Sequence, residues 1–523
     1  MRILPAGAEA LLVELDDLPQ TLGLLAALRA APVEGLREIV PGARTLLLEF
    51  DPLRTTRIAL AEVLRGLRFD AGTAAGGELV QIPTHYDGED LTEVAALLGI
   101  TPAEVVARHT GSDWFVAFTG FAPGFAYLSG GDELLRTLPR RTTPRTRIPP
   151  GAVAVAGGFS GVYPKASPGG WQLLGQTFVP MWDLGRDPPA LLQPGQRVRF
   201  VDAGPRPVVE QDLTPPVSQP VEATRPAIEI VRPGPQSLLQ DLGRPGRAGQ
   251  GVAASGAMDR GSLRAANRLV GNTAGVACIE AALGGLELLS HGDTVLAVTG
   301  ALGPLTLIAA DGRRWAVPRH APLALSDGDR LLLGEPEAGV RSYVAVRGGL
   351  GACAPVLGSL SFDTLAGVGP APLAAGDRLP LNTLHLGLVG EAIEAAPACP
   401  QAGDMVTLDI HLGPRDDWFT ADAIALLASQ SWAVTPQSNR VGLRVQGERP
   451  LARAVDTELP SEGTPLGAIQ VPASGQPVLF LADHPLTGGY PVIACIARHH
   501  LDLAGQIPVG ARIRFNIIER TSS

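Results

Sequence analysis

The feature that most narrows what this chain can fold into is a segment that occurs twice, on either side of a proline-dense stretch. "GAVAVAGGFSGVYPKASPGGWQLLG" begins at Gly151, and "GAIQVPASGQPVLFLADHPLTGGYPVIA" begins at Gly467. Each opens on Gly-Ala and β-branched residues in alternation. Each then reaches a Gly-Gly-aromatic triplet, Gly169-Gly170-Trp171 in one and Gly488-Gly489-Tyr490 in the other. Each ends in a matching strand, "PGQRVRF" to Phe200 and "VGARIRF" to Phe515. Five positions before the second glycine stand Lys165 and His484 respectively. Three features matched in one order predict two related β-barrel units.

The stretch between the copies, residues 203–227, is dense in proline and has no apolar period, which predicts an extended connector. At 523 residues the chain is long enough for several compact units, and 45% hydrophobic against 18% charged residues is a globular composition. Short apolar runs such as "RTLLLEF" and "VAVAGG", separated by Gly and Pro, read as strands. Helices are predicted from about 91 and 102, where Asp90 with Glu93 and Thr101 with Glu104 form reciprocal capping pairs, and over Asp259–Val270 with Gly271 as its stop.

A net charge of −10 gives the chain no pull towards phosphate backbones or anionic membranes, so nucleic acid is not an expected partner. The uncharged run Thr294 to Ala310 is broken by Gly300, Gly303 and Pro304, and it reads as strand, turn, strand rather than a membrane span. Cys278, Cys353, Cys399 and Cys495 lack metal-site spacing, and no metal ligand set is assigned. With no secretory pattern at the start, a reducing cytoplasm is the expected location. GxxxxGK[ST], GxSxG and HExxH are all missing from the sequence, which excludes a P-loop site and leaves any nucleotide to another kind of site.

The residues able to carry chemistry gather around glycine-rich loops. "FTGFAPGFAYL" brings in Gly124 and Phe125, and glycine turns at Gly169, Gly170, Gly488 and Gly489 would let backbone N–H groups approach an anion. Asp241 and Arg244 share "QDLGRPG", Asp259 opens a helix on which Asn267 lies about two turns later, and Arg440 and Arg444 share "SNRVGLR". Asp259 reads equally as a cap, and Glu280, inside an apolar run, reads as half of a buried ion pair or as a functional acid. Asp483 precedes His484, pairing a carboxylate with an imidazole. The adjacent His499 and His500 point in different directions in regular structure and are expected in solvent. Lys165 is the chain's single lysine. Its expected part is an accessory positive charge, with Lys165→Arg tolerated and Gly170→Val blocking the turn.

"FTGFAPGFAYL", "PRRTTPRTRIPPGAVAVAGG" and "YPKASPGGWQLLG" together resemble the family of 5-oxoprolinase B subunits, also called allophanate hydrolase subunit 1. "GPQSLLQDLGRPG", "SGAMDRGSLRAANRLVGN", "YVAVRGGL", "VLGS", "IQVPASGQPV" and "TGGYPVIA" resemble the family of 5-oxoprolinase C subunits, or allophanate hydrolase subunit 2. The chain thus looks like a B–C fusion, related to urea amidolyase. Against the family pattern it departs at His484 and Leu486, where a basic residue and threonine are expected, and at Val441 in place of methionine.

The resemblance implies a β-rich α+β fold of tandem cyclophilin-like β-barrels. A small α/β subdomain would occupy residues 1–80, the B-part barrel 81–202 and the C part 228–519. It implies an ATP-dependent component, working with Mg2+ and a separate A subunit, that opens 5-oxoproline to glutamate, with self-association left open. Phosphorylating the lactam oxygen would make a poor electrophile reactive. Asp241, Asp259 and Asp483 would be catalytic. Gly124, Phe125, Lys165, Gly169, Gly170, Arg244, Asn267, Arg440, Arg444, Gly488, Gly489 and Tyr490 would bind substrate or ATP. Two alternatives follow from the same resemblance: the carboxyltransferase module of a biotin-dependent urea or amide carboxylase, whose biotin would sit on another chain, and a non-catalytic inhibitor of a histidine kinase.

Overall fold

The computed structural model describes residues 1–70, 77–206, 226–351, 354–383, 387–390 and 393–518, so most of the connector and Cys353 lie outside the described residues. At the N-terminus, strands Arg2–Pro5, Ala10–Glu14, Thr45–Phe50 and Leu36–Pro41 form an antiparallel sheet in that spatial order, with helices Leu18–Ala30 and Arg57–Gly66. Both faces of this sheet are apolar. One packs Val13, Leu46 and Leu48 on the helices through Leu24, Leu25 and Leu60, and the other packs Leu12, Val40 and Leu47 against Ala248, Ala253 and Leu486 from the distant half of the chain. A sheet with apolar residues on both faces needs a packing partner on each. Arg415 reinforces the joint, bonding Glu14 at 3.0 Å and Glu462 at 2.6 Å with its guanidinium buried.

The next unit is a sheet of seven strands, Leu79–Thr84, Trp114–Thr119, Ala126–Gly130, Ala152–Ala156, Phe159–Val162, Gln172–Gln176 and Arg197–Asp202. Paired backbone bonds of 2.8 Å between His85 and Gln176 bring its two edges together into a barrel. The second barrel is closed by Met405–Leu412, Trp432–Val434, Gly442–Gln446, Ala468–Gln470, Val478–Phe480, Val492–Ile496 and Arg512–Ile517. Numbered in chain order, the strands of both barrels run first, sixth, fourth, fifth, third, second, seventh around the wall, with the seventh parallel to the first.

The likeness reaches single residues. Each barrel has a helix before its second strand, and the buried Trp114 and Trp432 donate from Nε1 to carbonyls five residues earlier, His109 at 3.2 Å and Leu427 at 3.0 Å. Both tryptophans meet a phenylalanine of the last strand, Phe200 and Phe515, with ring centroids 6.5 and 6.4 Å apart. The sixth strand carries a bulge at the same rung in both, between Leu173 and Gly175 and between Val492 and Ala494. That register makes Trp171 the counterpart of Tyr490.

Between the barrels in sequence lies a third body that the repeat did not announce. Two sheets, one of six strands containing Ala227–Pro233 and one of five containing Cys278–Ala282 and Ala338–Val346, enclose a core of Ile228, Ile279, Leu288, Val298 and Val344. Helix Arg260–Leu269 covers the outer face of the five-stranded sheet through Leu263, Ala266 and Leu269. Its cap is as read, Asp259 accepting from Ser262 N at 2.8 Å, whereas Asp90 makes no cap bond to its helix and instead accepts from Leu173 N at 2.7 Å and from Arg145. The run from Thr294 forms strands Thr294–Leu302 and Leu305–Ile308. Among the described residues no helix is long and apolar enough to cross a membrane.

Candidate functional site

The loops that leave the two barrels converge on one segment of the sandwich, residues 359–366, from the serine that ends "VLGS" to the residue before the next glycine. Asp241 shapes it. One carboxylate oxygen accepts from the hydroxyls of Ser359 and Ser361, both at 2.6 Å, and from Gly243 N at 2.8 Å, and the other accepts from Leu360 N at 2.8 Å. With four donors around it, Asp241 is a loop organiser rather than a free acid or base.

The far side of the loop is tied to the second barrel. Asp483 accepts from Thr364 N at 2.9 Å and Oγ1 at 2.7 Å, and from Ser255 Oγ at 2.6 Å. It also takes a two-pronged bond from Arg440, Nε at 2.8 Å and Nη2 at 2.9 Å. Arg440 further bonds Glu280 and the carbonyl of Gly256, and Glu280 accepts from Tyr343 Oη at 2.7 Å and Met258 N at 3.0 Å. The three charged groups are all buried. Burial alone would raise the Asp483 carboxyl, but Arg440 outweighs it and holds it below the ordinary carboxylate range. Of the two readings of Glu280, the ion pair is the one observed.

From the first barrel, Lys165 donates to the carbonyl of Leu365. Burial lowers its ammonium pKa, and the nearby Asp363 partly restores it. Asp363, which sequence reasoning passed over, is buried beside Asp483, and its carboxyl is pushed up to about 7 by burial and then by that neighbour. Arg244 completes the group. It is buried, donates to Val356 O at 3.3 Å and to Ser361 O, and has Nη1 left without a partner among the described residues. A guanidinium nitrogen without a described partner and a lysine thus border one loop, which itself carries a carboxyl raised to about 7. Ser359 ends "VLGS", and Ser361, Asp363 and Thr364 follow it, alternating with Leu360 and Phe362; that pattern is the signal that could have drawn attention to them.

The glycine turns behave differently from the expectation. None of Gly169, Gly170, Gly488 and Gly489 has a positive φ. Gly169 is required by packing, since a Cβ there would lie 2.4 Å from the Tyr163 hydroxyl, while one on Gly170 would meet nothing closer than 3.7 Å. The two turns flank the segment around Arg140 and Arg141: Arg141 N donates to Gly170 O at 2.8 Å, and Arg140 pairs with Glu458 at 3.0 Å close to Gly489. Gly124 does need its φ of +77°, but its N–H is taken up by Gln250 O at 3.0 Å, so it is a joint between barrel and sandwich.

The remaining candidates scatter. Phe125 lies in a buried aromatic cluster with Tyr127, Tyr163 and Trp171. Asp259 caps its helix and accepts from Gln506 at 2.8 Å, and Asn267 bonds Val276 O at 2.7 Å, both as framework. Arg444 is an exposed strand residue, and Tyr490 is 46% exposed under the Arg453 guanidinium. His499 and His500, expected apart, meet at Asp409: His499 Nε2 lies 2.9 Å from its carboxylate, and His500 Nδ1 accepts from its backbone N–H at 2.8 Å.

Comparison with known proteins identifies the family. The model of the carboxyltransferase domain, subdomains A and B, matches residues 250–517, and that of subdomains C and D matches residues 1–192. The chain belongs to this carboxyltransferase-domain family. It is 36% identical over 301 residues to the C subunit of 5-oxoprolinase from Escherichia coli K12, covering 55% of this chain and 90% of that protein. It is 38% identical over 180 residues to the B subunit of 5-oxoprolinase from Escherichia coli O157:H7, covering 34% and 82%. This carboxyltransferase-family chain therefore joins counterparts of the B and C subunits in one polypeptide. It is also 34% identical over 323 residues to urea amidolyase of Saccharomyces cerevisiae, of which it spans 17%. In structure it superposes on the crystal structure of TTHA0988 with a TM-score of 0.82 and 37% identity, over 97% of this chain and 99% of that one.

Proposed function

We propose that this chain is the B–C component of an ATP-dependent 5-oxoprolinase, activating 5-oxo-L-proline for hydrolysis to L-glutamate together with a separate A subunit. The observation that carries this reading is coverage: the chain spans 90% and 82% of the relatives named as the C and B subunits, joined in one polypeptide. The loop 359–366 is the site that serves it best. Arg244 Nη1, buried and without a partner among the described residues, is a donor that the substrate's carboxylate or a phosphate oxygen would satisfy. Lys165 is placed to neutralise the same charge, and Asp363, near its midpoint at neutral pH, could hold or move a proton on the amide, or as the carboxylate face Mg2+. ATP, when bound, supplies the phosphoryl group that converts the lactam oxygen into a leaving group. Arg440, Glu280 and Asp483 act behind the loop by fixing Thr364.

The test is release of phosphate and glutamate from 5-oxoproline and ATP by this chain mixed with the A subunit of a relative. Turnover that requires both proteins supports the reading. A second reading, carboxyl transfer from carboxybiotin to a urea-like amide, is favoured by the similarity to yeast urea amidolyase. No lactam turnover together with carboxylation of an amide would replace the first reading by the second.

A further inference from the structure

A cavity of about 360 Å³ lies where the N-terminal sheet, the loops preceding and opening helix Arg260–Leu269, and the second barrel meet; its lining includes none of residues 359–366 but does include Ser255, which bonds Asp483 behind that loop. Leu486, Val40 and Ala10 line it from the apolar interface between sheet and barrel. Its charged groups are of both signs, and their partners divide them sharply. Arg37 is taken by Glu9 at 3.4 Å and Asp51 at 3.1 Å, Arg498 is taken by Glu9, and Glu38 accepts from the backbone of Gly246 and Ala248. Left over are Arg260 and Arg264, one turn apart on the same helix, and Glu49 on the sheet. None of these three forms an ion pair among the described residues, and Glu49 makes no side-chain hydrogen bond there.

We propose that this cavity is a second small-molecule site that takes a zwitterionic α-amino acid, its carboxylate on Arg260 and Arg264 and its ammonium on Glu49. The volume is at the low end for ligand pockets and suits a molecule of that size. Arg260 feels Asp502 and Glu49 as opposite charges, and Glu49 feels Arg260 and Arg37, but none of these pairs closes to ion-pair distance among the described residues. Two guanidinium groups and a carboxyl lining one cavity without direct pairing are a complement for separated charges, which a simple anion or amine would half satisfy. His484 adds an acceptor. Its Nδ1 donates to the carbonyl of Pro485 at 3.0 Å, which leaves Nε2 unprotonated in the neutral ring, and burial lowers its pKa so that the ring stays neutral. Burial also pushes the Glu49 carboxyl up to about 7, with Glu38 adding to the effect and Arg260 and Arg37 opposing it only in part, so an incoming ammonium would meet a carboxyl whose charge is incompletely balanced.

The experiment is a thermal-shift screen of the full chain against the twenty protein amino acids at about 10 mM, with calorimetric titration of the best binder and of its desamino and decarboxylated analogues. At least one amino acid is expected to bind, with both analogues about tenfold weaker or more. The exposed Arg264→Gln, confirmed folded by its melting curve, should weaken the amino acid and the desamino acid alike. Glu49→Gln should weaken the amino acid and leave the desamino acid unchanged. No shift with any of the twenty, or an affinity unaltered in both variants, overturns the proposal. The readout requires no turnover, so it stands or falls separately from the lactam reaction.

Discussion

The two barrels share a strand order, a bulge, a capping tryptophan and a closing phenylalanine, yet their outer walls do opposite things. In the first, Phe125, Tyr127, Tyr163 and Trp171 stack edge to face, with centroids 5.0 to 5.7 Å apart, and Trp171 is only 6% exposed. In the second, register places Gly442, Arg444, Phe480 and Tyr490 at those positions, and the wall is held by charges at its rim instead. Position 440 is the clearest contrast. Its counterpart in the first barrel is Pro123, so one copy turns the corner with a ring and the other with a buried guanidinium. A duplicated scaffold keeps the contacts that close the barrel and frees its outer face, one copy using it for apolar packing and the other for an electrostatic joint to the sandwich.

The largest expected effect comes from breaking that joint. Arg440→Leu leaves the carboxylates of Asp483 and Glu280 buried without their cation and should cost about 3–5 kcal/mol in denaturant unfolding. Pro123→Ala, at the matching place, should cost under about 1 kcal/mol. Similar losses would mean that the network is not what separates the copies. Next, Trp171→Ala should cost about 3–5 kcal/mol and Tyr490→Ala under about 1 kcal/mol, because one ring is enclosed and the other half exposed.

Within the first turn, Gly169→Ala forces a methyl into the Tyr163 hydroxyl and should lower stability by about 1–3 kcal/mol, whereas Gly170→Ala, which has room, should stay within about 0.5 kcal/mol. Equal losses would return the signal to the turn as a whole. The smallest effect concerns pH. Asp363 has a carboxyl raised in the folded chain to about 7, so the folded state holds a proton that the unfolded state gives up from about pH 4. Its contribution is therefore present below pH 4 and lost as pH rises through 7. Asp363→Asn should flatten that decline, gaining stability relative to the native chain at pH 8 compared with pH 5, as melting curves at the two values would read. The gain should persist beside Pro123→Ala and shrink with Asp483→Asn, the neighbour that helps raise Asp363.

Much of the framework was legible because it is written in local chemistry. The duplicated Gly-Ala strands, the cap at Thr101 and the break at Gly303-Pro304 depend on φ/ψ preference and on hydrogen bonds within a few residues. The site was less so. Asp241, Asp259 and Asn267 have the composition of catalytic groups but are consumed by bonds to the framework, which no spacing rule reveals. Asp363 and Thr364 matter through partners more than a hundred residues away. The match of Lys165 to His484 holds when counted back from the sixth strand, but the connection in the second barrel is two residues longer, and counting forward from the fifth strand places Ala482 there instead.

Residue order alone was enough to specify two barrels of one kind and the glycine loops that border them, since repeated local patterns bury the same faces wherever they fold. Folding in three dimensions had to settle that a sandwich is wedged between them, that Arg440 and Glu280 are one ion pair across 160 positions, and that Arg244 keeps a donor without a partner among the described residues. Those outcomes turn on which charges lose their water together, a balance of desolvation against pairing that is set by proximity in space and not by position in the chain.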